Sequence, residues 1–305
     1  MLKKTEVLTP DRAILILLVV LLALVPVFAP QIEYLLAIIF AFAILAASWD
    51  VLYGYAGEIS LGHVFPFGVA AFSTGLLSRY PEPLSILAGA AVATMVNLAV
   101  AGAALRIRGP HFAILTLATT VIADRVAVAI WGEEGIYNIP PLLGGSVDAG
   151  YYAGLCVMIS SVAVMLFICR SKLGLKFTAM REDWLAASAS GIDIFRYKIA
   201  VFTISSFFAG IAGGFYALFI GHVNHSVFSL PNSFAVLSMA VFGGLGTILG
   251  PVVGAFVLQF ISLYFVSLGP YNLILYGTVL TAVLLLSPGG LMSFLKRLQH
   301  RWGAH

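Results

Sequence analysis

Between Ile199 and Leu295 the chain carries no Asp, Glu, Lys or Arg. A water-facing helix bundle needs a charged outer face, so this stretch must lie in lipid. The rest of the chain agrees. Of its 305 residues 61% are hydrophobic and 10% charged, against roughly 25% charged in an ordinary soluble domain. Apolar runs near the roughly 20 residues that a helix needs to cross a bilayer fall at Ala13–Ala29, Tyr34–Leu52, Ile59–Leu77, Leu84–Leu105, Phe112–Trp131, Tyr151–Cys169, Tyr197–Ile220, Ser233–Leu249, Val252–Leu268 and Tyr271–Ser287. These read as ten spans, with eight or nine as alternatives. They are too long, and too free of strict alternation, for barrel strands of about 10 residues. The expected fold is an all-α integral membrane protein: one transmembrane domain over residues 1–305, a polytopic bundle of about 8–10 helices with glycine-broken segments.

The charges are asymmetric. Lys3, Lys4 and Arg12, then Arg106 and Arg108, then Arg170, Lys172, Lys176, Arg181, Arg196 and Lys198, then Lys296, Arg297 and Arg301 fall on alternate connections. The connections Pro30–Glu33, Gly132–Gly150, Gly221–Asn232 and Gly269–Pro270 hold no Lys or Arg. The positive-inside rule puts the basic connections and both termini in the cytoplasm. The first apolar run is longer than a signal h-region and its Val27-Phe28-Ala29 end offers no small-x-small cleavage site, so it reads as an uncleaved span. Cys156 and Cys169 stand at opposite ends of one apolar run, too far apart to bridge.

Two connections are long. Residues 132–150 form an outer loop rich in Pro and Gly, suited to cap the bundle or meet a soluble partner. Residues 170–198 hold the densest charges. Within them Leu175, Ala179, Met180, Ala186 and Ala187 recur at about helical spacing among Lys176, Arg181, Glu182 and Asp183, which predicts one short amphipathic helix between Gly174 and Gly191. Its mixed-sign polar face suits a protein partner better than anionic lipid.

Two glycine-rich breaks, residues 54–62 and 243–250, share a Gly-x-x-Gly opening and a closing Leu-Gly. Matched interruptions in two halves of a transporter mark a translocation pathway; small-residue packing seams are the competing account. The pathway candidates are Gly54, Gly57, Glu58, Ser60, Gly62, His63, Gly243, Gly244, Gly246, Thr247 and Gly250, with Asp50 flanking the first break. Asp124 and Arg125 are ionised residues inside a span; neighbours diverge by about 100° on a helix, so each is expected to find its own partner.

No Gly-x4-Gly-Lys-Ser/Thr loop is present, so the chain is not expected to hydrolyse ATP. His222 and His225 lack a third ligand nearby for a metal site. No catalytic residues, cofactor, metal or nucleic-acid partner are expected.

The stretches Gly54-Tyr55-Ala56-Gly57-Glu58-Ile59-Ser60-Leu61-Gly62-His63, Leu105-Arg106-Ile107-Arg108-Gly109-Pro110-His111-Phe112, Met180-Arg181-Glu182-Asp183, Ala209-Gly210-Ile211-Ala212-Gly213 and Gly243-Gly244-Leu245-Gly246-Thr247-Ile248-Leu249-Gly250-Pro251 resemble the M-type permease of branched-chain amino-acid ATP-binding-cassette importers. The resemblance implies a coupling helix that inserts into an ATPase subunit, with Met180, Arg181, Glu182, Asp183, Ala186, Ala187 and Gly191 as its residues. Leu185 stands where the general coupling motif has a glutamate, which leaves Glu182 or Asp183 as the polar contact. Also implied are a second permease chain forming a heterodimer, two ATP-binding subunits that bind the ATP, an extracytoplasmic binding protein, and a bacterial or archaeal plasma membrane, the inner membrane in a Gram-negative cell. Branched-chain amino acids are the expected cargo; urea, short amides or other amino acids are alternatives, and a secondary carrier is the rival of another class.

Overall fold

The computed structural model describes residues 10–101, 105, 109–264, 277–278 and 281, with side chains from residue 19 onward except at residue 101. The basic residues Arg106, Arg108, Lys296, Arg297 and Arg301, the leading Lys3 and Lys4, and all but residues 277–278 and 281 of the span expected at Tyr271–Ser287 lie outside the described residues.

The helices run α1 (Pro10–Phe28), α2 (Glu33–Asp50), α3 (Val64–Leu76), α4 (Glu82–Ala101), α5 (Pro110–Trp131), α6 (Val147–Arg170), α7 (Lys172–Glu182), α8 (Trp184–Ala189), α9 (Ile194–Ile220), α10 (Leu230–Gly243) and α11 (Leu249–Tyr264). Five of the described segments are long and apolar enough to cross a membrane: Pro30–Tyr55, Glu82–Val100, Pro110–Trp131, Val147–Arg170 and Ile194–Ile220. The runs expected at Ile59–Leu77 and Ser233–Leu249 are shorter as helices. α3 and α10, at 13 and 14 residues, reach only about 20 Å at 1.5 Å per residue, because the glycine breaks unwind one end of each.

α2 is the hub. Its span is 89% buried, and Phe40, Leu45 and Trp49 are enclosed among α6, α9, α10 and α11. A helix apolar on every side belongs in the middle of a bundle. Against it lies a tight α3–α4–α9 layer built on small residues. A Cβ on Gly213 would stand 2.0 Å from the Phe67 carbonyl oxygen, and one on Gly210 2.7 Å from Ala90 Cα. Close backbone approach of this kind is how helices bind one another where lipid removes the hydrophobic drive.

On the face opposite the basic connections, the long loop folds down over the bundle. Ile136 and Val223 exchange backbone hydrogen bonds at 2.8 and 3.0 Å, and Ile139 N–H donates to the Gly221 carbonyl at 3.1 Å. Tyr137 stacks on His222. That opposite face also carries one basic connection residue, Arg79, between α3 and α4.

The basic segment is two helices where one was expected. The helix breaks at Asp183, whose carboxylate accepts from the Leu185 and Ala186 N–H groups at 2.8 and 3.1 Å and so caps α8. An aspartate at an N-cap satisfies amides that the first turn leaves free. Asp183 thus serves its own backbone, and Glu182 is held by Arg181 at 2.5 Å. Asp193 caps α9 in the same way at 3.1 Å.

Candidate functional site at the paired glycine breaks

The first break begins where α2 widens into a π-helical turn, Val51–Tyr55. Such turns insert one residue and reorient the chain beyond them. The backbone reverses at Gly57, φ +76°, and is then pinned in place. Trp49 Nε1 donates to the Ser60 carbonyl at 2.7 Å, and Leu61 N–H donates to Thr116 Oγ1 at 3.1 Å. Gly62 is pressed so closely to α5 that a Cβ would stand 1.9 Å from the Thr116 carbonyl oxygen.

His63, a candidate for the pathway, is buried against α2 and α9. Its Nε2 lies 2.9 Å from Ser48 Oγ, and Ser48 Oγ donates to the Leu45 carbonyl at 2.7 Å. The serine proton is committed to Leu45, so Nε2–H must be the donor and the imidazole is assigned as the Nε2–H tautomer. Ser205 Oγ completes the cluster by donating to the Ser48 carbonyl at 2.7 Å. In this conformation His63 is a bolt between helices.

The second break leaves α10 through Gly244 at φ 112° and Gly246 at φ +73°, and Ile248 also has a positive φ of 57°. A β-branched residue in that region is strained and needs something to hold it there. The holder is Asp50. Its Oδ1 accepts from Gly246 N–H at 2.7 Å, and its Oδ2 accepts from Thr247 N–H at 3.1 Å and Ile248 N–H at 3.0 Å. Successive amides curled around an anion form a nest. Thr247 Oγ1 tightens it by donating to the Gly244 carbonyl at 2.8 Å and accepting from Gly250 N–H at 3.0 Å.

The two breaks are thereby joined. A Cβ on Gly54 would stand 2.5 Å from Gly246 N, while within the second break one on Gly243 would stand 1.8 Å from the Gly250 carbonyl oxygen. The seam account of the glycines is what these contacts describe: the two breaks pack against each other.

Two cations from the basic segment reach this seam. Arg181, on α7, donates from Nη1 to the Gly54 carbonyl and is anchored by Glu182 Oε1 at 2.5 Å. A Cβ on Gly57 would meet Arg181 Cγ at 3.0 Å, and one on Gly246 would meet its Nη1 at 3.4 Å, so the side chain that bonds Gly54 also lies beside the second break. Lys198, at the foot of α9 and 4% exposed, forms a buried ion pair with Glu58. The positive-inside rule places Lys198 on a cytoplasmic connection; its partner, 140 positions away by number, is not legible from spacing.

The other expected coupling residues divide. Met180 and Ala187 turn inward and pack with Ile194. Glu182, Asp183, Trp184, Leu185 and Ala186 form a continuous exposed strip, with Leu185 60% exposed. Gly191 takes φ +84° with open space around it, the left-handed turn that lets the chain leave α8. Asp124 finds a partner on another element, His225 Nδ1 at 2.8 Å, as expected, whereas Arg125 departs from expectation by pairing with its neighbour Asp124 at 3.3 Å. Side-chain length defeats the 100° divergence, because a guanidinium reaches round the helix. His222 and His225 are engaged by Tyr137 and Asp124 respectively.

The arrangement is held by backbone amides, the Asp50 carboxylate, the Arg181 guanidinium and the Lys198–Glu58 ion pair. Comparison with known proteins adds the family of the "Branched-chain amino acid transport system / permease component", which matches residues 31–288. The high-affinity branched-chain amino acid transport system permease protein LivM of Salmonella typhimurium is 27% identical over 290 residues, covering 82% of this chain and 67% of the relative. The autoinducer 2 import system permease protein LsrC of an Enterobacter species is 28% identical over 308 residues, 93% of this chain and 87% of the relative. LivH of Escherichia coli K12, a permease protein of the same branched-chain system, is 28% identical over 141 residues, 45% of each chain. No solved structure matches.

Proposed function

The chain belongs to the permease-component family of branched-chain amino acid transport systems, and from that premise we propose that its paired glycine breaks are the gate of an ATP-driven importer, worked through Arg181. The carrying observation is that Arg181, on the short helix beside the exposed strip Glu182–Ala186, touches Gly54 in one break and approaches Gly246 in the other. A partner gripping that strip moves the guanidinium, and with it the contact that holds both breaks shut.

In this reading the basic side is cytoplasmic, the strip is what an ATP-binding subunit grips, and ATP is bound by two such subunits and not by this chain. A second permease chain completes the pathway, and an extracytoplasmic binding protein delivers cargo to the opposite face, in a bacterial inner membrane. Both termini are cytoplasmic. ATP and loaded binding protein drive the cycle by binding its two states unequally. The cargo is a branched-chain amino acid. When the gate opens, the nest amides that Asp50 occupies become free to solvate a substrate carboxylate, as unwound helix ends do in other carriers.

The test is uptake of radiolabelled leucine by cells with and without the chain, with unlabelled isoleucine, valine and urea as competitors. Chain-dependent uptake that yields to isoleucine and valine supports the reading. Chain-independent leucine uptake, with a urea or amide flux that needs the chain, keeps the machine and replaces the cargo. Chain-dependent uptake that survives loss of cellular ATPase partners and follows an ion gradient makes it a secondary carrier instead.

A further inference from the structure

α5 is the least enclosed of the five long spans, 28% buried against 89% for the α2 span. Its outward stripe runs Ile114, Ala118, Val121, Arg125 and Ala129, all exposed and spaced by three and four residues along one helical face. In the middle of this stripe the Arg125 side chain is 78% exposed. It lies six positions before Trp131, about 9 Å inside the helix end at 1.5 Å per residue.

A guanidinium directed outward at that depth is costly to leave facing hydrocarbon. Among the described residues its ion-pair partner is Asp124 at 3.3 Å, and that carboxylate is shared with His225 at 2.8 Å. With its side chain 78% exposed, the five-donor guanidinium has donors left for a group outside this chain. Ala118 and Ala129 flank it on the same face, small enough to let another helix come close.

We propose that this face of α5 is the contact surface for the second permease chain, and that the partner is a distinct member of the family that brings a carboxylate to Arg125. This rests on the permease reading above. The partner's distinctness follows from symmetry: an isologous contact through the stripe would set each Arg125 near its own copy, and like charges repel in a low dielectric. A different chain bearing an acid complements the stripe, and charge complementarity fixes register and partner choice.

The experiment places photo-reactive benzoylphenylalanine at Val121, and separately at Met95, which is exposed on α4, in the intact complex in cells of its source. Illumination from Val121 is expected to give an adduct that mass spectrometry identifies as a different permease of the same family, with at least about tenfold less from Met95. Arg125→Glu should lower that adduct by about tenfold, the scale of one lost charge pair, while Arg125→Lys retains most of it. Val121 adducts with lipid alone, with a second copy of this chain, or equal in yield to those from Met95 overturn the proposal. The wild-type adduct decides the matter even if Arg125→Glu fails to insert. Because the readout is a contact and not a flux, its failure is distinguishable from failure of leucine uptake.

Discussion

Replacing Asp50 by asparagine removes the charge at the centre of the closed seam while keeping its shape. The carboxylate accepts three N–H bonds, one on Oδ1 and two on Oδ2. Hydrogen bonds to a charged group contribute about 1.5–3 kcal/mol each. An asparagine can place its oxygen where Oδ2 stands and keep two bonds in weaker, neutral form. Its NH2 then faces the Gly246 N–H, donor against donor. The net loss is about 3 kcal/mol, roughly one bond with some weakening of the others. At 1.4 kcal/mol per factor of ten, the open form of the break should become about a hundredfold more populated. Ile248 reports on this, being fully buried in the closed seam. In a chain with Cys156 and Cys169 replaced by alanine, Ile248→Cys should react with a membrane-permeant maleimide about a hundred times faster when Asp50→Asn is also present. A cysteine at Ala212, fully buried in α9, should stay unreactive in both backgrounds, which separates local opening from global unfolding. Equal labelling at Ile248→Cys with and without Asp50→Asn, in chains that insert equally well, would refute the claim that the carboxylate holds the break shut.

Arg181→Ala should cut leucine uptake by tenfold or more while ATP hydrolysis by the assembled complex persists, because it deletes the contact to Gly54 and, although it frees Glu182, leaves Asp183 capping α8 and the rest of the strip in place; parallel loss of hydrolysis and uptake would point to failed assembly instead. Gly54→Ala forces a Cβ to within 2.0 Å of Asp50 Oδ1 and 2.5 Å of Gly246 N, and should cost about 1–3 kcal/mol of stability, seen as a lowered Tm in detergent. Gly191→Ala meets no atoms but must hold a positive φ of 84°, a cost of about 1 kcal/mol; Gly191→Pro also loses the N–H bond to the Ser188 carbonyl and cannot take that φ at all, so uptake should fall sharply for proline and little for alanine.

Composition and near neighbours alone settled the fold class of this protein and the places where its helices unwind. A membrane solvent demands helices and punishes charge, so the stretch from Ile199 onward declared the first, and the glycine runs declared the second. The cap at Asp183 was legible too, since an aspartate ahead of Trp-Leu-Ala-Ala is a local stop-and-start signal that a single-helix reading passed over. Which distant groups meet was a matter for the folded bundle. Asp50 and the amides of residues 246–248 are almost 200 positions apart, Lys198 finds Glu58 and Arg181 finds Gly54, and no periodicity links such pairs. Met180 and Ala187 share the helical spacing of surface neighbours yet turn inward to Ile194. Hydropathy reports the cost of leaving water for each residue alone, whereas an ion pair or an amide nest is stabilised only when packing has brought both halves to within about 3 Å.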